Sequence, residues 1–128
     1  MSRWVTPSLF ESYGGQVANP PHGLPHYLTE LHPGFDENGK LPDSFEAQFK
    51  NVVTNIKRVL DEAGATFRDL VKVNVLLTRA SDVAPMNALY ASAFGPAPYP
   101  ARATCVVQAL PNPAMLIEIE CVASLAGK

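Results

Sequence analysis

Between residues 42 and 64 the chain reads PDSFEAQFKNVVTNIKRVLDEAG, and Phe45, Phe49, Val52, Val53, Ile56, Val59, Leu60 and Ala63 recur at the spacing of a single helical face. No other stretch restricts the fold as much, because an apolar stripe of this length has to be covered by another element. Its ends are marked as well. Asp43 is positioned to cap the N-terminus, with Glu46 three residues later completing a capping-box-like start, and Gly64 is positioned to end the helix in a left-handed conformation.

The segments that follow read as strands and one more helix. LVKVNVLLT (70–78) is rich in β-branched and aliphatic residues and reads as a strand. SDVAPMNALYASAFG (81–95) predicts a second helix, with Ser81 as cap, Pro85 in the first turn, Gly95 at the end, and Val83, Met86, Tyr90 and Phe94 along one face. PAPYP (96–100) is an extended linker, and PARATCVVQALPNPAMLIEIEC (100–121) reads as two strands joined by a proline-flanked turn. Residues 1–42 are irregular, with short strand-like pieces at 15–18 and 26–31 and an Asn-Gly turn signal in DENGK (36–40). The order β-β-α-β-α-β-β predicts an α+β fold with both helices on one face of a sheet. No helix is left for the other face, which points to self-association through it.

Composition bounds the function. With 47% apolar and 17% charged residues in 128, the chain reads as a single folded domain, 1–128, in which 1–33 is atypical. A net charge of −2 supplies no electrostatic basis for nucleic acid binding. No apolar run approaches the roughly 18 residues of a membrane span. The first ten residues lack a signal-peptide core, and two cysteines without one point to a reducing, cytoplasmic setting.

The C-terminal pair of strands carries Arg102 near one end and Glu118 and Glu120 near the other. If the two pair as a hairpin about Asn112, alternation puts Arg102 and Thr104 on one face with Gln108, Glu118 and Glu120. The other face then holds Ala103, Cys105, Val107, Ala109, Ile117, Ile119 and Cys121, which reads as core. The polar strip is either a solvated surface, where Arg–Glu pairs contribute little, or a site. In the second case Arg102 clamps a substrate carboxylate and Glu118 handles a proton or water.

At these residues the chain resembles the Rid family of reactive intermediate deaminases, also called the YjgF family. The family signature Pro-Ala-Arg-Ser-(Thr/Cys)-Val, Leu-Pro, (Val/Ile)-Glu-Ile-Glu-Ala appears here as PARATCV, ALP and IEIECVA, and the resemblance extends over residues 34–123. It implies a chorismate-mutase-like α+β fold, a homotrimer with ligand sites in clefts between subunits, and no cofactor. It also implies hydrolysis of enamine or imine acids, such as 2-aminoacrylate, to the 2-oxo acid and ammonia. Relatives deaminate aminomuconate-type acids, and some members are described as ribonucleases, an activity that the acidic chain does not favour. A non-catalytic small-molecule binder using the same clefts is the alternative of a different class.

Carried over by this resemblance, Arg102 holds the substrate carboxylate, Glu118 positions or activates water, and Glu120 is a supporting or surface residue. Thr104, Asn87, Tyr13, Thr29 and Glu30 line the substrate site. Three departures bear on the substrate. Glu30 stands where the family has glycine, adding a carboxylate beside an anion site; residues 20–25 differ from the usual hairpin; and Ala103 replaces serine.

His22, His26 and His32, with Glu30 nearby, have the right chemistry for zinc, but their spacing matches no metal motif. They are read as loop or cleft-lining residues, with no metal. Cys105 and Cys121 are read as reduced core thiols. Trp4 is read as an anchor of the N-terminal segment or a subunit contact.

Overall fold

A computed structural model describes residues 16–18 and 27–126. The strands are β1 (Gln16–Ala18), β2 (Tyr27–Pro33), β3 (Leu70–Leu77), β4 (Ala101–Val106) and β5 (Ile117–Ser124); the helices are α1 (Phe45–Glu62) and α2 (Val83–Phe94). The element order is the expected one. The stripe on α1 buries Phe45, Phe49, Val52, Ile56, Val59 and Leu60, and α2 adds Met86, Tyr90 and Phe94 to the same core.

Local signals account for most helix ends. Gly64, at φ 72°, follows α1 in the left-handed region, and Gly39 does the same at φ 76° in the DENGK turn. The caps differ from expectation. Ser44, not Asp43, caps α1 by accepting a hydrogen bond from the Ala47 amide. At α2 the residue in the cap position is Asp82, whose carboxylate is taken by the Arg79 guanidinium at 2.7 Å instead of by helix amides.

The sheet order is β1-β2-β5-β3-β4. This overturns the expected hairpin, because β4 and β5 are not neighbours. β3 lies between them, parallel to β4 and antiparallel to β5. Strand β3, helix α2 and strand β4 form a crossover unit, which delivers β4 to the sheet edge. β5 instead takes the centre, where Ile119 is fully buried between β2 and β3 and Ile117 is fully buried beside β3.

Both helices lie against one face. Along it run Leu28, Val73, Val75, Leu77, Ile117, Ile119, Cys121 and Ala123. The opposite face carries Leu31, Leu76, Val122, Ala103 and Cys105, with Glu118 and Glu120 among them. No helix of the described chain covers that face, nor is any long and apolar enough to cross a membrane.

One buried side chain sets the approach to β5. Gln48 donates from Nε2 to the carbonyls of Pro42 and Ala114 at 2.8 and 3.0 Å, and its Oε1 accepts from the Leu116 amide at 2.8 Å. Gly34 passes so close that a Cβ there would lie 2.8 Å from Gln48. The loop before β5 is thereby tied to α1, and Glu118 begins two residues beyond the tie.

Candidate functional site

Arg102 lies on edge strand β4 at the level of Val73, so its side chain stands on the helix face and reaches α2. Its guanidinium sits over the Tyr90 ring, 4.6 Å from the centroid. It donates to Asn87 Oδ1 at 2.9 Å, with a longer contact of 3.7 Å to Met86 Sδ. Among the described residues it has no carboxylate partner, so its charge is held in place but not neutralised. Asn87, Tyr90, Ala91, Tyr99, Pro100 and Arg102 line an open cleft of about 380 Å³.

The aromatic wall is built by packing. Tyr90 stacks on Phe94 with centroids 4.2 Å apart, and Tyr99 leans on Tyr90 at 6.3 Å. Burial raises the Tyr90 hydroxyl pKa and the Arg102 charge opposes that rise. Tyr90 and Tyr99 were not expected as cleft residues. The available signal was the spacing of Asn87, Tyr90 and Ala91, which places all three on one helix face. Tyr99, within a proline-rich linker, carried no such signal.

The expected site residues fall into two groups. Thr104 shares the helix face with Arg102, and its Oγ1 is buried with no hydrogen-bond partner among the described residues. Glu118 pairs with Leu76 and Pro33 on the opposite face. Half-buried there, its carboxyl is raised in pKa by desolvation and then by the charge of Glu120. Glu120 accepts a hydrogen bond from Asn74 at 2.9 Å on that face. Thr29 is also there, exposed, opposite Val122. Arg102 and Glu118 are thus two strands apart, about 10 Å across the sheet, and on opposite sides of it. The common polar strip expected from a hairpin does not exist within one chain, because β3 separates its two strands. Cys105 is likewise corrected: it is exposed on the face away from the helices, and only Cys121 is a core thiol.

Glu30 is not beside Arg102. It occupies the same rung of the helix face, Glu30–Cys121–Val73–Arg102, but three strands away, about 14 Å. Both Glu30 and His32 are completely buried on β2 and are joined by a 2.7 Å contact between His32 Nε2 and Glu30 Oε1. His32 is therefore a core residue and not part of a loop. Tyr13, His22, His26 and Trp4 lie outside the described residues.

A sequence model described as Endoribonuclease L-PSP matches residues 31–125, three strands and both helices of the architecture above. The chain belongs to this family, which is the Rid/YjgF family. Reactive Intermediate Deaminase A, chloroplastic, from Arabidopsis thaliana is 42% identical over 90 residues, covering 70% of this chain and 47% of that protein. A RutC family protein of Synechocystis is 44% identical over 80 residues, covering 62% of this chain and 61% of that protein. The match thus spans less than two thirds of either relative. Among solved structures, RidA from an Antarctic Psychrobacter superposes with a TM-score of 0.76 at 34% identity, covering 85% of each chain. TdcF of E. coli with bound serine gives 0.74 at 26% identity, covering 85% of this chain and 91% of TdcF. The Rid relatives also include mitochondrial proteins, so membership alone does not specify a compartment.

Proposed function

We propose that this Rid protein hydrolyses enamine or imine acids to the corresponding 2-oxo acid and ammonia. The observation that carries the reading is an arginine clamped by Tyr90 and Asn87, without a carboxylate partner, on the wall of an open cleft. A preset guanidinium of this kind suits a planar carboxylate. Its likeness to a deaminase of known name and to a serine-bound family structure supports the same reading.

In the proposed reaction, protonation of the enamine carbon gives an iminium. Water adds to the iminium carbon, giving a carbinolamine; protons pass from the added oxygen to nitrogen, the C–N bond breaks, and ammonia leaves as the oxygen becomes the keto group of the 2-oxo acid. Arg102 fixes the carboxylate and Glu118 acts as the base toward water. Thr104 and Asn87 line the pocket around them. Because Arg102 and Glu118 occupy opposite faces, the reading requires two copies of the chain. The uncovered face of one, with Glu118 and Thr29, abuts the β4 edge of the next in a homotrimer. The chain's own residues suffice for this chemistry, since the substrate arrives already activated.

The test follows 2-aminoacrylate decay in the presence of wild type and Arg102→Ala. Decay is expected to accelerate with wild type and return to the uncatalysed rate with the variant; an unaccelerated wild-type reaction would rule the activity out. A larger conjugated amino acid of the aminomuconate type is the second reading, favoured by the Tyr90 and Tyr99 walls, and a preference for it in the same assay would select it. A purely binding role predicts instead that Glu118→Gln leaves every measured property unchanged.

A further inference from the structure

Three chemically distinct donors meet in the core on the helix side of the sheet, between β2 and β5 and away from the β4 edge that carries Arg102. Glu30 and Cys121 are direct cross-strand partners between β2 and β5, and His32 is two residues along β2 on the same face. Glu30 and His32 are 0% exposed and Cys121 1%. One carboxylate oxygen, one imidazole nitrogen and the thiol sulfur all lie within 4.8 Å of one another. Such groups are costly to bury, and a hydrophobic core gains nothing from three of them together.

The Glu30 carboxyl has one oxygen engaged and one in reserve. His32 Nε2 meets Glu30 Oε1 at 2.7 Å. The Cys121 thiol lies close enough to the carboxyl to favour its charged form, yet Glu30 Oε2 makes no hydrogen bond of good geometry.

We propose that Glu30, His32 and Cys121 form a structural zinc site that staples β2 to β5. The donor set of one carboxylate oxygen, one imidazole and one thiolate is a zinc set, and thiolate disfavours magnesium and calcium. Charge also balances. A divalent cation displaces the acidic protons of Glu30 and Cys121, and the resulting carboxylate and thiolate neutralise it beside a neutral imidazole. Ligand bonds of about 2.0–2.3 Å require the Glu30–His32 contact to widen by roughly half an ångström and the wider pairs to close. With three protein donors, a tetrahedral ion takes its fourth ligand from water. The site sits three strands from Arg102, so its role is to hold β2, and with it the N-terminal part of the sheet, against the centre. This inference stands apart from the proposed deaminase reaction.

The test uses the full-length protein unfolded in chelator and refolded with cobalt(II) or zinc(II), because the donors are enclosed. Expected are one bound ion per chain after desalting, a thiolate-to-cobalt charge-transfer band in the near ultraviolet, and a higher Tm with zinc than without. The band is lost in Cys121→Ala and kept in Cys105→Ala, which removes the exposed thiol. Wild type that retains no ion and shows no band overturns the proposal, whatever the variants do. So does a band that survives Cys121→Ala.

Discussion

The Arg102 guanidinium lies 4.6 Å from the centroid of the Tyr90 ring, while its Nη2 donates to Asn87 at 2.9 Å. The ring supplies a face and not a hydroxyl, since Tyr90 Oη has no hydrogen-bond partner among the described residues. Tyr90→Phe is therefore expected to leave binding of a short 2-oxo acid unchanged. Tyr90→Leu removes the cation–π contact, about 0.5–1 kcal/mol, and is expected to weaken that binding roughly two- to fivefold. Calorimetric titration of the three proteins distinguishes the two effects.

Opposite-face placement of Arg102 and Glu118 makes a prediction about mixing. Arg102→Ala and Glu118→Gln are each expected to be inactive, with Glu118→Gln losing on the order of 10²–10⁴ in kcat. Unfolded together in equal amounts and refolded, they are expected to recover about a quarter of wild-type activity if each site takes one residue from each of two neighbours. No recovery from well-folded mixed oligomers would place both residues' work within a single chain.

Gln48 satisfies three backbone groups at once. Gln48→Leu keeps much of the volume but leaves the Leu116 amide and two carbonyls without their partner. A loss of about 2–4 kcal/mol is expected from denaturant unfolding. Activity should fall with it, because the same loop leads into Glu118.

The Glu30–His32 pair predicts how stability responds to pH in metal-free protein. Burial raises the Glu30 pKa to about 8 and lowers that of His32 to about 3, so the folded pair holds one proton between those limits. In the unfolded chain the ordinary values are 4.5 and 6.5, and the pair also holds one proton between them. Stability is then independent of this pair from pH 4.5 to 6.5. Above 6.5 the unfolded chain has released its last proton while Glu30 keeps one, so stability falls until about pH 8. Below 4.5 the unfolded chain takes up a second proton that His32 refuses, so stability falls toward pH 3. Urea melts across this range, in chelator, check both limbs. Zinc is expected to reverse the alkaline limb, since metal binding strengthens as protons leave.

The amino-acid sequence by itself determined the elements and their order. The stripe on α1, the Gly64 terminus, the strand at 70–77 and the alternation within IEIEC are local properties, written at periods of 3.6 and 2. Alternation also identified Arg102 and Thr104 as one pair and Glu118 and Glu120 as another. What only the tertiary structure decided was which strands are neighbours. Alternation within a strand does not say which residue of another strand it will match, and pairing through β3 sets Arg102 level with Cys121 by way of Val73, so the two pairs lie on opposite faces. Glu30 was hidden for a related reason. A charged residue in a short strand reads as exposed, and its burial depends on His32 beside it and on Cys121, 91 positions further along the chain, arriving opposite it.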